Sequence, residues 1–307
     1  MMYRRGKIFI LLAGLLFGAI IIVFAAGCSS DSQEKPKQEF GLIPLKKDCF
    51  GKVVRFAVPE SFIFDEICKS YFISNINGDP LVADDNGYII KLDSNFKLID
   101  NYFIDGRSDQ ILLNAPKGLA VFDSVLYVTD INVVRTFDAY TGQPLPLIDF
   151  SAFNPEFLND IAADTIGNLY VSDMFTDRIF KINRAGAISV LASLEAPNGL
   201  LWTEGDFLLA ACWSPPRIAK IAADGMVQDI LTDSNFLQLD GIDIDKLGRL
   251  YFSDYRKGAI YRYNLHDRLL ETVLTGMKSP ADISIDRKNN LLLIPDFSGS
   301  CCVYKLN

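Results

Sequence analysis

Histidine is nearly absent from this chain of 307 residues, which contains a single one, His266. A triad of serine, histidine and aspartate is therefore not expected, and neither is a site for a softer metal held by imidazoles. The histidine lies in a polar stretch, residues 264–268, which indicates a position on the surface. No glycine-rich phosphate loop joins a strand to a helix, so nucleotide binding of that kind is not indicated.

Basic residues are fewer than acidic residues. Thirty lysines and arginines face 38 aspartates and glutamates, which gives a formal net charge of -8. Such an acidic chain is a poor partner for nucleic acid, but it suits the binding of cations or of neutral molecules.

The first part of the chain has the pattern of an export signal. Basic residues within the first seven positions precede an apolar run over residues 8–26. Residues 25–28 read Ala-Ala-Gly-Cys and resemble a bacterial lipobox, which predicts cleavage after residue 27 and lipidation of Cys28. The alternative is an uncleaved membrane anchor, because an apolar run of this length nearly spans a bilayer.

These features predict three parts: a signal peptide over residues 1–27, a flexible polar tether over 28–47 and a folded domain over 48–307. Ser29 follows the lipidated cysteine, which by resemblance favours the outer membrane of a Gram-negative cell. The predicted location is therefore the bacterial cell envelope, facing the periplasm in such a cell. The lipid membrane is the expected partner of Cys28, and the domain is expected to be a monomer.

A unit of roughly forty residues recurs six times along the domain. One marker position precedes a short apolar strand and is occupied by Glu60, Lys117, Asn159, Asn198, Asp240 and Ala281. A second marker closes the next strand and is occupied by Asn75, Asp130, Asp173, Cys212, Asp254 and Asp296. Residues 77–87 are rich in turn formers and read as an inserted loop. Short β-rich segments in this repeat predict an all-β fold, a six-bladed β-propeller with four-stranded blades.

The sixth copy ends before a fourth strand, whereas residues 51–57 form a β-rich segment that belongs to no copy. We expect this segment to complete the last blade and close the ring, which removes an open sheet edge. Cys49 would then lie near Cys301 or Cys302, and a disulfide between Cys49 and Cys301 is predicted. The alternative is that the cysteines are small buried apolar residues.

The first strand of each propeller blade lines the central channel, so the first markers converge on one axial opening. Two carboxylates, Glu60 and Asp240, and two amides, Asn159 and Asn198, make a set of hard oxygen ligands that suits calcium. The residues after the second markers form a partly apolar rim: Ile76, Ile131, Met174, Trp213, Tyr255 and Phe297.

Four of these segments, Pro59-Glu60, Leu158-Asn159-Asp160, residues 197–200 and residues 239–242, resemble the metal motifs of one family. It is the senescence-marker-protein, gluconolactonase and luciferin-regenerating-enzyme family, which is similar to diisopropyl fluorophosphatase and, more distantly, to paraoxonase. The resemblance covers roughly residues 52–307. It implies a six-bladed propeller with a divalent metal, usually calcium, bound in the channel.

The resemblance assigns the metal to Glu60, Asn159, Asn198 and Asp240. It implies hydrolysis of a lactone or related ester, in which the metal polarises the carbonyl and Asp240 orients or deprotonates the attacking water. The chain departs from the family at Phe157, where many lactonases carry an arginine that holds a sugar. It also has no counterpart of the histidines that assist in paraoxonase-like enzymes.

Four further residues are candidates for substrate binding: Lys117, Asp173, Trp213 and Asp254. Lys117 could instead be a plain turn residue between Pro116 and Gly118. Aspartates that recur at strand ends can also cap turns by accepting bonds from nearby backbone N–H groups.

The sequence leaves other function classes open. A non-catalytic propeller at the bacterial surface, as in NHL-repeat proteins by resemblance, would bind a protein or glycan partner. Lyase or isomerase chemistry on the same scaffold is a third class, because fold does not determine function. Calcium at the four-residue site favours the hydrolase, whereas a site blocked by Lys117 or by aromatic side chains favours the binding module.

Overall fold

The computed structural model describes residues 43–44 and 54–307, and its regular structure is antiparallel β-sheet apart from the short 3₁₀ helix Ser151–Phe153. No helix in this described part of the chain has the length and hydropathy needed to cross a membrane. The predicted signal peptide, most of the predicted tether, Cys28 and Cys49 lie outside the described residues. The domain boundaries and the lipid anchor therefore stay predictions.

Six sheets of four strands each form the blades, and the first strand that the structure describes, β1 (Ile43–Pro44), belongs to the last of them. Blade 1 contains β2 (Pro59–Asp65), β3 (Ser70–Asn75), β4 (Tyr88–Asp93) and β5 (Leu98–Asp105). Blade 2 contains β6 (Pro116–Phe122), β7 (Val125–Asp130), β8 (Val133–Asp138) and β9 (Pro144–Asp149). Blade 3 contains β10 (Leu158–Ala163), β11 (Leu169–Asp173), β12 (Arg178–Ile182) and β13 (Ile188–Ser193).

The second half of the ring repeats this arrangement. Blade 4 contains β14 (Pro197–Trp202), β15 (Leu208–Cys212), β16 (Arg217–Ile221) and β17 (Val227–Leu231). Blade 5 contains β18 (Leu239–Ile244), β19 (Arg249–Asp254), β20 (Ala259–Asn264) and β21 (Leu270–Leu274). Blade 6 contains β22 (Ser284–Asp286), β23 (Leu291–Asp296), β24 (Ser300–Lys305) and β1.

The first strands of neighbouring blades contact each other in the cyclic order β2, β6, β10, β14, β18, β22 and back to β2. This closed ring confirms the predicted all-β fold of six four-stranded blades. The core lies between the faces of adjacent blades. For example, Phe72 and Ile89 of blade 1 pack with Leu126 and Phe137 of blade 2, and all four are fully or almost fully buried.

The structure corrects the position of the strand that closes the ring. Closure by a strand from before blade 1 is confirmed, but this strand is β1, which pairs with β24. Residues 54–57, the described part of the predicted strand, form no strand. Their polar backbone groups bind side chains instead: Tyr88 Oη donates to the carbonyl of Arg55 at 2.7 Å, and the Ala57 N–H donates to Asn75 Oδ1 at 2.9 Å. The β-rich composition reflects Val54 and Phe56 packing against the core between blades 6 and 1.

A β-bulge lies at the first marker of blades 1 to 5. In each, the residue before the marker pairs with the second marker, and the register then shifts within the next three residues, as between Leu158 and Ile161. A bulge redirects the side chains at its centre. The repeated bulges therefore explain how strands with otherwise regular pairing present polar marker residues to the channel.

The bulges bring neighbouring backbones so close that a side chain at some glycine positions would force its neighbours to shift. A Cβ atom at Gly241 would meet the backbone nitrogen of Ile283 at 2.1 Å, and one at Gly199 would meet the carbonyl oxygen of Asp240 at 2.2 Å. Gly118 is similarly confined, because a Cβ there would lie 2.4 Å from Asp160 Oδ1. The inner strands are thus in close backbone contact just below the marker residues.

Replacing Gly241 with alanine should therefore destabilise the fold by about 3 kcal/mol, since the neighbouring backbone must shift to accept the methyl group. The free energy of unfolding in urea measures this. Gly78→Ala is the matched control, because its nearest neighbours would be side-chain atoms 3.8 Å away, and a change within about 0.5 kcal/mol is expected there. Equal effects of the two substitutions would contradict the close contact at Gly241.

Candidate functional site

One cavity of about 330 Å³ at the axial opening contains all four predicted metal ligands. Its floor is formed by the first markers Glu60, Lys117, Asn159, Asn198 and Asp240. All five side chains are buried in the β-bulges of five different blades. The structure thus brings together residues that are far apart in the sequence, at the place where the repeat predicted them.

Two carboxylate oxygens on this floor have no hydrogen-bond partner among the described residues: Glu60 Oε2 and Asp240 Oδ1. Burial raises the pKa of Glu60 well above its ordinary value, and Asp240 and Asp282 raise it further. Burial also raises the pKa of Asp240, with Asp282 adding to the effect and a hydrogen bond from Asn198 opposing it. Buried, unpartnered carboxylate oxygens are costly on their own, and a bound cation would satisfy them.

The two amides lie directly against each other. Asn159 Nδ2 donates to Asn198 Oδ1, and Asn198 Nδ2 approaches the carbonyl oxygen of Leu239 at 3.5 Å. The backbone of each amide is held by the preceding blade, because Thr129 Oγ1 donates to the Asn159 carbonyl and Ser172 Oγ to the Asn198 carbonyl. The oxygen donors of blades 3 and 4 are therefore fixed with respect to each other.

Lys117 lies in the strand β6 and is only 1% exposed, so the structure places it in the cavity rather than in an exposed turn. Its Nζ donates to the carbonyl oxygen of Ala115 at 2.9 Å and lies 4.7 Å from the centre of the Phe157 ring. Burial lowers the pKa of Lys117 to about 8, although Asp130 and Glu60 oppose this shift. The floor therefore combines a cation with two carboxylates.

A second pair of carboxylates, which the sequence analysis missed, lies one residue further along the inner strands. Asp160 Oδ2 accepts from the Leu200 N–H at 2.6 Å, and Asp282 Oδ2 accepts from Ser61 Oγ at 2.6 Å. Burial raises the pKa of Asp160 well above its ordinary value and that of Asp282 to about 7. The signal was present, since both follow a first marker directly, in the position that is glycine in three other blades.

These carboxylates face a second, larger cavity of about 860 Å³, which is also lined by Asp243 and Arg287. Asp160 and Asp282 belong to its lining and not to that of the first cavity. The layer of glycines and bonded aspartates thus separates the two cavities along the channel.

Five of the six second markers cap the chain that leads into the inner strand of their blade: Asn75, Asp130, Asp173, Asp254 and Asp296. Asp173 accepts from the Phe157 N–H at 2.9 Å and from Thr176 Oγ1 at 2.5 Å, and it pairs with Arg178 at 3.3 Å. Asp254 accepts from the N–H groups of Leu237, at 2.8 Å, and of two further residues. Neither carboxylate lines the cavity. The structure therefore assigns the predicted substrate-binding residues Asp173 and Asp254 to capping, the alternative that the sequence left open.

Hydroxyl groups just before the second markers are a further set that sequence reasoning missed. Ser172 Oγ accepts from the Asp160 N–H at 2.9 Å, and Ser253 Oγ accepts from the Gly241 N–H at 2.9 Å. Ser253 Oγ also donates to the Ala281 carbonyl of the next blade at 2.8 Å. Each hydroxyl thus accepts from a backbone N–H in the bulge of its own blade and donates to a backbone carbonyl in the next blade. Their recurrence before the second marker was the available signal.

The walls of the cavity are apolar. Four of the six predicted rim residues line it, namely Met174, Trp213, Tyr255 and Phe297, whereas Ile76 and Ile131 do not. The predicted substrate-binding residue Trp213 is thus at the cavity. Phe157 and Phe175 belong to the same wall. Pro80 and Leu81 of the inserted loop complete it, so residues 77–87 contribute to the site.

Two other predictions concern histidine and cysteine. His266 is exposed in the turn after β20, as predicted. Cys301 is buried, and burial raises the pKa of its thiol well above the ordinary value. Cys49 lies outside the described residues, so the disulfide with Cys301 stays a prediction.

The donor set of the floor fits a hard cation. No group of three or more histidine, cysteine, aspartate or glutamate side chains is arranged for a metal within residues 54–307. The candidate set instead combines the carboxylates of Glu60 and Asp240 with the amides of Asn159 and Asn198. Carboxylate and amide oxygens are ligands of calcium, and the two negative charges would balance its own.

No protein-family model matches the chain, and no curated protein matches it. Solved structures share its fold. A gluconolactonase from Xanthomonas campestris is similar with a TM-score of 0.65 and 15% identity, over 82% of this chain and 87% of that one. A streptogramin B lyase has a TM-score of 0.62 and 12% identity, over 84% of this chain and 96% of that one.

A structure of a nidogen/laminin complex also contains a similar chain, with a TM-score of 0.57 and 20% identity, over 70% of this chain and 88% of that one. At these identities the similarities concern the propeller fold. The fold is thus shared with enzymes and with a protein found in a protein complex.

Proposed function

We propose that this chain is an exported, calcium-dependent hydrolase of a lactone or related ester, of the senescence-marker-protein and gluconolactonase type. One observation carries the proposal: among the described residues, Glu60 Oε2 and Asp240 Oδ1 have no hydrogen-bond partner, and they are buried on the same cavity as Asn159 and Asn198. The similarity in fold to a gluconolactonase is compatible with hydrolase chemistry on this scaffold.

Glu60, Asn159, Asn198 and Asp240 would hold the calcium ion. When bound, calcium would supply Lewis-acid polarisation of the substrate carbonyl. The β-bulges place these side chains on the floor, and the hydrogen bonds to the Asn159 and Asn198 carbonyls keep the amides in position. A substrate packed against the apolar walls would displace water from the cavity, which would strengthen electrostatic interactions at the floor.

Asp240 orients the attacking water and accepts its proton while the water oxygen bonds to the carbonyl carbon. The bond between this carbon and the ester oxygen then breaks, and the leaving oxygen takes the proton from Asp240. One water is consumed, and a lactone yields a hydroxy acid. Lys117 holds a substrate oxygen, because its ammonium group has three donors and, within the described part of the chain, one of them binds the Ala115 carbonyl.

The second candidate is a non-catalytic surface propeller that binds a protein or glycan. Exposed apolar side chains at the cavity mouth favour it, since Leu81 and Phe175 are each 50% exposed. The similarity to a chain of the nidogen/laminin complex is compatible with it. Both candidates place the domain outside the cytoplasm, anchored to a membrane through Cys28, and export is part of the proposal.

Calcium is expected to raise the melting temperature of the full-length protein and to support turnover in a panel of lactones and esters. At 100 times its dissociation constant, a ligand stabilises a protein by about 2.7 kcal/mol. Chelation with EDTA should remove both effects. Differential scanning fluorimetry, calorimetric titration and a pH-indicator assay measure them.

Glu60→Gln should abolish calcium binding, whereas the matched control Glu66→Gln, at an exposed position, should bind as the wild type does. Calcium binding without turnover of any lactone or ester would support the binding module. Absence of calcium binding in the wild type would overturn the proposed metal site.

A further inference from the structure

The cavity has two chemically distinct zones. Every charged or amide side chain that lines it lies on the floor, in the inner-strand bulges. The remaining lining consists of Pro80, Leu81, Phe157, Met174, Phe175, Trp213, Tyr255 and Phe297. A ligand whose reacting group reaches the floor must therefore place the rest of its surface against apolar and aromatic side chains.

The aromatic walls are held together by ring contacts. Phe157 and Phe175 are stacked, with ring centres 4.6 Å apart and an angle of 16° between the rings. A second group of rings comes from blades 4 to 6. The ring centres of Trp213 and Tyr255 are 5.2 Å apart, and those of Tyr255 and Phe297, which meet edge to face, are 5.5 Å apart. These contacts give two preformed aromatic surfaces, on which a flat or extended apolar group can pack.

The floor has few groups left to bind hydroxyls. Asn159 and Asn198 bind each other, which leaves Lys117, one of whose three donors binds the Ala115 carbonyl, as the main donor for a substrate oxygen. Among the residues that line the walls, only Trp213 and Tyr255 carry a polar side-chain group, an indole N–H and a hydroxyl. A polyhydroxylated ligand would therefore have to bury most of its hydroxyls against apolar surface, and each buried hydroxyl without a partner lowers affinity roughly tenfold or more. An aryl or alkyl group in the same place gains affinity through the area that it removes from water.

We infer that this site takes a lactone or ester carrying an aryl or short alkyl substituent, and that it discriminates against polyhydroxylated sugar lactones. The inference rests on the proposed hydrolase function and specifies its substrate class. The carbonyl lies at the floor, and the apolar substituent packs between the wall formed by Phe157 and Phe175 and the wall formed by Trp213, Tyr255 and Phe297. The volume of about 330 Å³ lies at the lower end for ligand pockets, which suits a substituent of one ring or a short chain.

The test compares two six-membered lactones, dihydrocoumarin and glucono-δ-lactone, on the full-length protein with calcium. The expected kcat/KM is at least about 100-fold higher for dihydrocoumarin than for glucono-δ-lactone, because the enzyme is expected to stabilise the transition state of the aryl lactone more strongly. Phe175→Ala and Trp213→Ala should each lower kcat/KM for dihydrocoumarin about tenfold, mainly through KM. For the unsubstituted δ-valerolactone, the two substitutions should change kcat/KM by less than about twofold, since this lactone lacks the group that the walls contact.

Ile166→Ala is the matched control, because Ile166 is a large exposed apolar residue, 65% exposed in the turn between β10 and β11, and does not line this cavity. This substitution should leave kcat/KM unchanged for all three lactones. Turnover of glucono-δ-lactone equal to or faster than that of dihydrocoumarin would overturn the inferred substrate class while leaving the hydrolase proposal intact.

A binding measurement separates failure of the inference from failure of the proposed function. In a Trp202→Phe background, the fluorescence of Trp213 reports ligands in the cavity. The lactam analogue of dihydrocoumarin should quench this fluorescence at concentrations at least about tenfold lower than gluconolactam does. If no lactone or ester is hydrolysed but this difference is observed, the hydrolase proposal fails and the preference for apolar ligands stands. Equal quenching by the two lactams would overturn the preference.

Discussion

Replacing Asp240 with asparagine is expected to lower calcium-dependent kcat/KM by about 1,000-fold or more, because it removes the base and one of the two negative charges for the metal. The same substitution should not destabilise the metal-free protein. Burial and Asp282 both raise the pKa of Asp240, so ionised Asp240 costs free energy in the folded state. An uncharged amide of the same shape removes this cost.

Steady-state kinetics, calorimetric calcium titration and urea unfolding in EDTA measure these effects together. Asp109→Asn, at an exposed position, is the matched control and should leave all three measurements unchanged. A loss of activity accompanied by an equal loss of metal-free stability would assign Asp240 to the fold rather than to the chemistry. Unchanged calcium affinity would remove it from the metal site.

Asp173→Ala, in contrast, should lower the free energy of unfolding by about 3–5 kcal/mol, because it leaves the buried partners of a charged group unpaired. Asp173 is fully buried and accepts from the Phe157 N–H and Thr176 Oγ1, and Arg178 lies 3.3 Å away. Asp173→Asn should cost less, because an amide oxygen keeps an acceptor for the Phe157 N–H.

The free energy of unfolding in urea checks this prediction, with Asp109→Ala as the exposed control. Kinetics are measured at a temperature where each variant is folded. An increase in KM for every substrate without a loss of stability would show that Asp173 acts as a substrate-binding residue after all.

The six-bladed fold could be predicted because its signal is local and repeated. Each copy carries a similar strand pattern with markers at equivalent positions, and the residue before the first marker pairs with the second marker in the first five blades. The strand that closes the ring could not be placed in the same way. Residues 54–57 have β-forming side chains, but their backbone groups bind side chains from blade 1 and the backbone N–H of Asn77, and composition does not reveal such partners.

The site was predictable to the same extent as the repeat. Glu60, Asn159, Asn198 and Asp240 occupy equivalent positions in different blades, so a ring of strands brings them to one opening. Asp173 and Asp254 are just as regular in the sequence, yet their carboxylates bind backbone N–H groups rather than line the cavity. Periodicity gives the blade position of a residue, whereas the direction of its side chain depends on the bulge and on its partners.

The sequence by itself determined that the chain forms six β blades and which polar residues meet at the channel, because the strand pattern and the repeat are properties of neighbouring residues. Only the tertiary structure decided that Lys117 is buried beside the carboxylates, that Asp160 and Asp282 line a separate cavity and that aromatic rings from several blades form the walls. These features depend on contacts between residues of different blades. Such contacts exist only once the ring has closed, and burial and charge then act across blades to shift the pKa values of the channel residues.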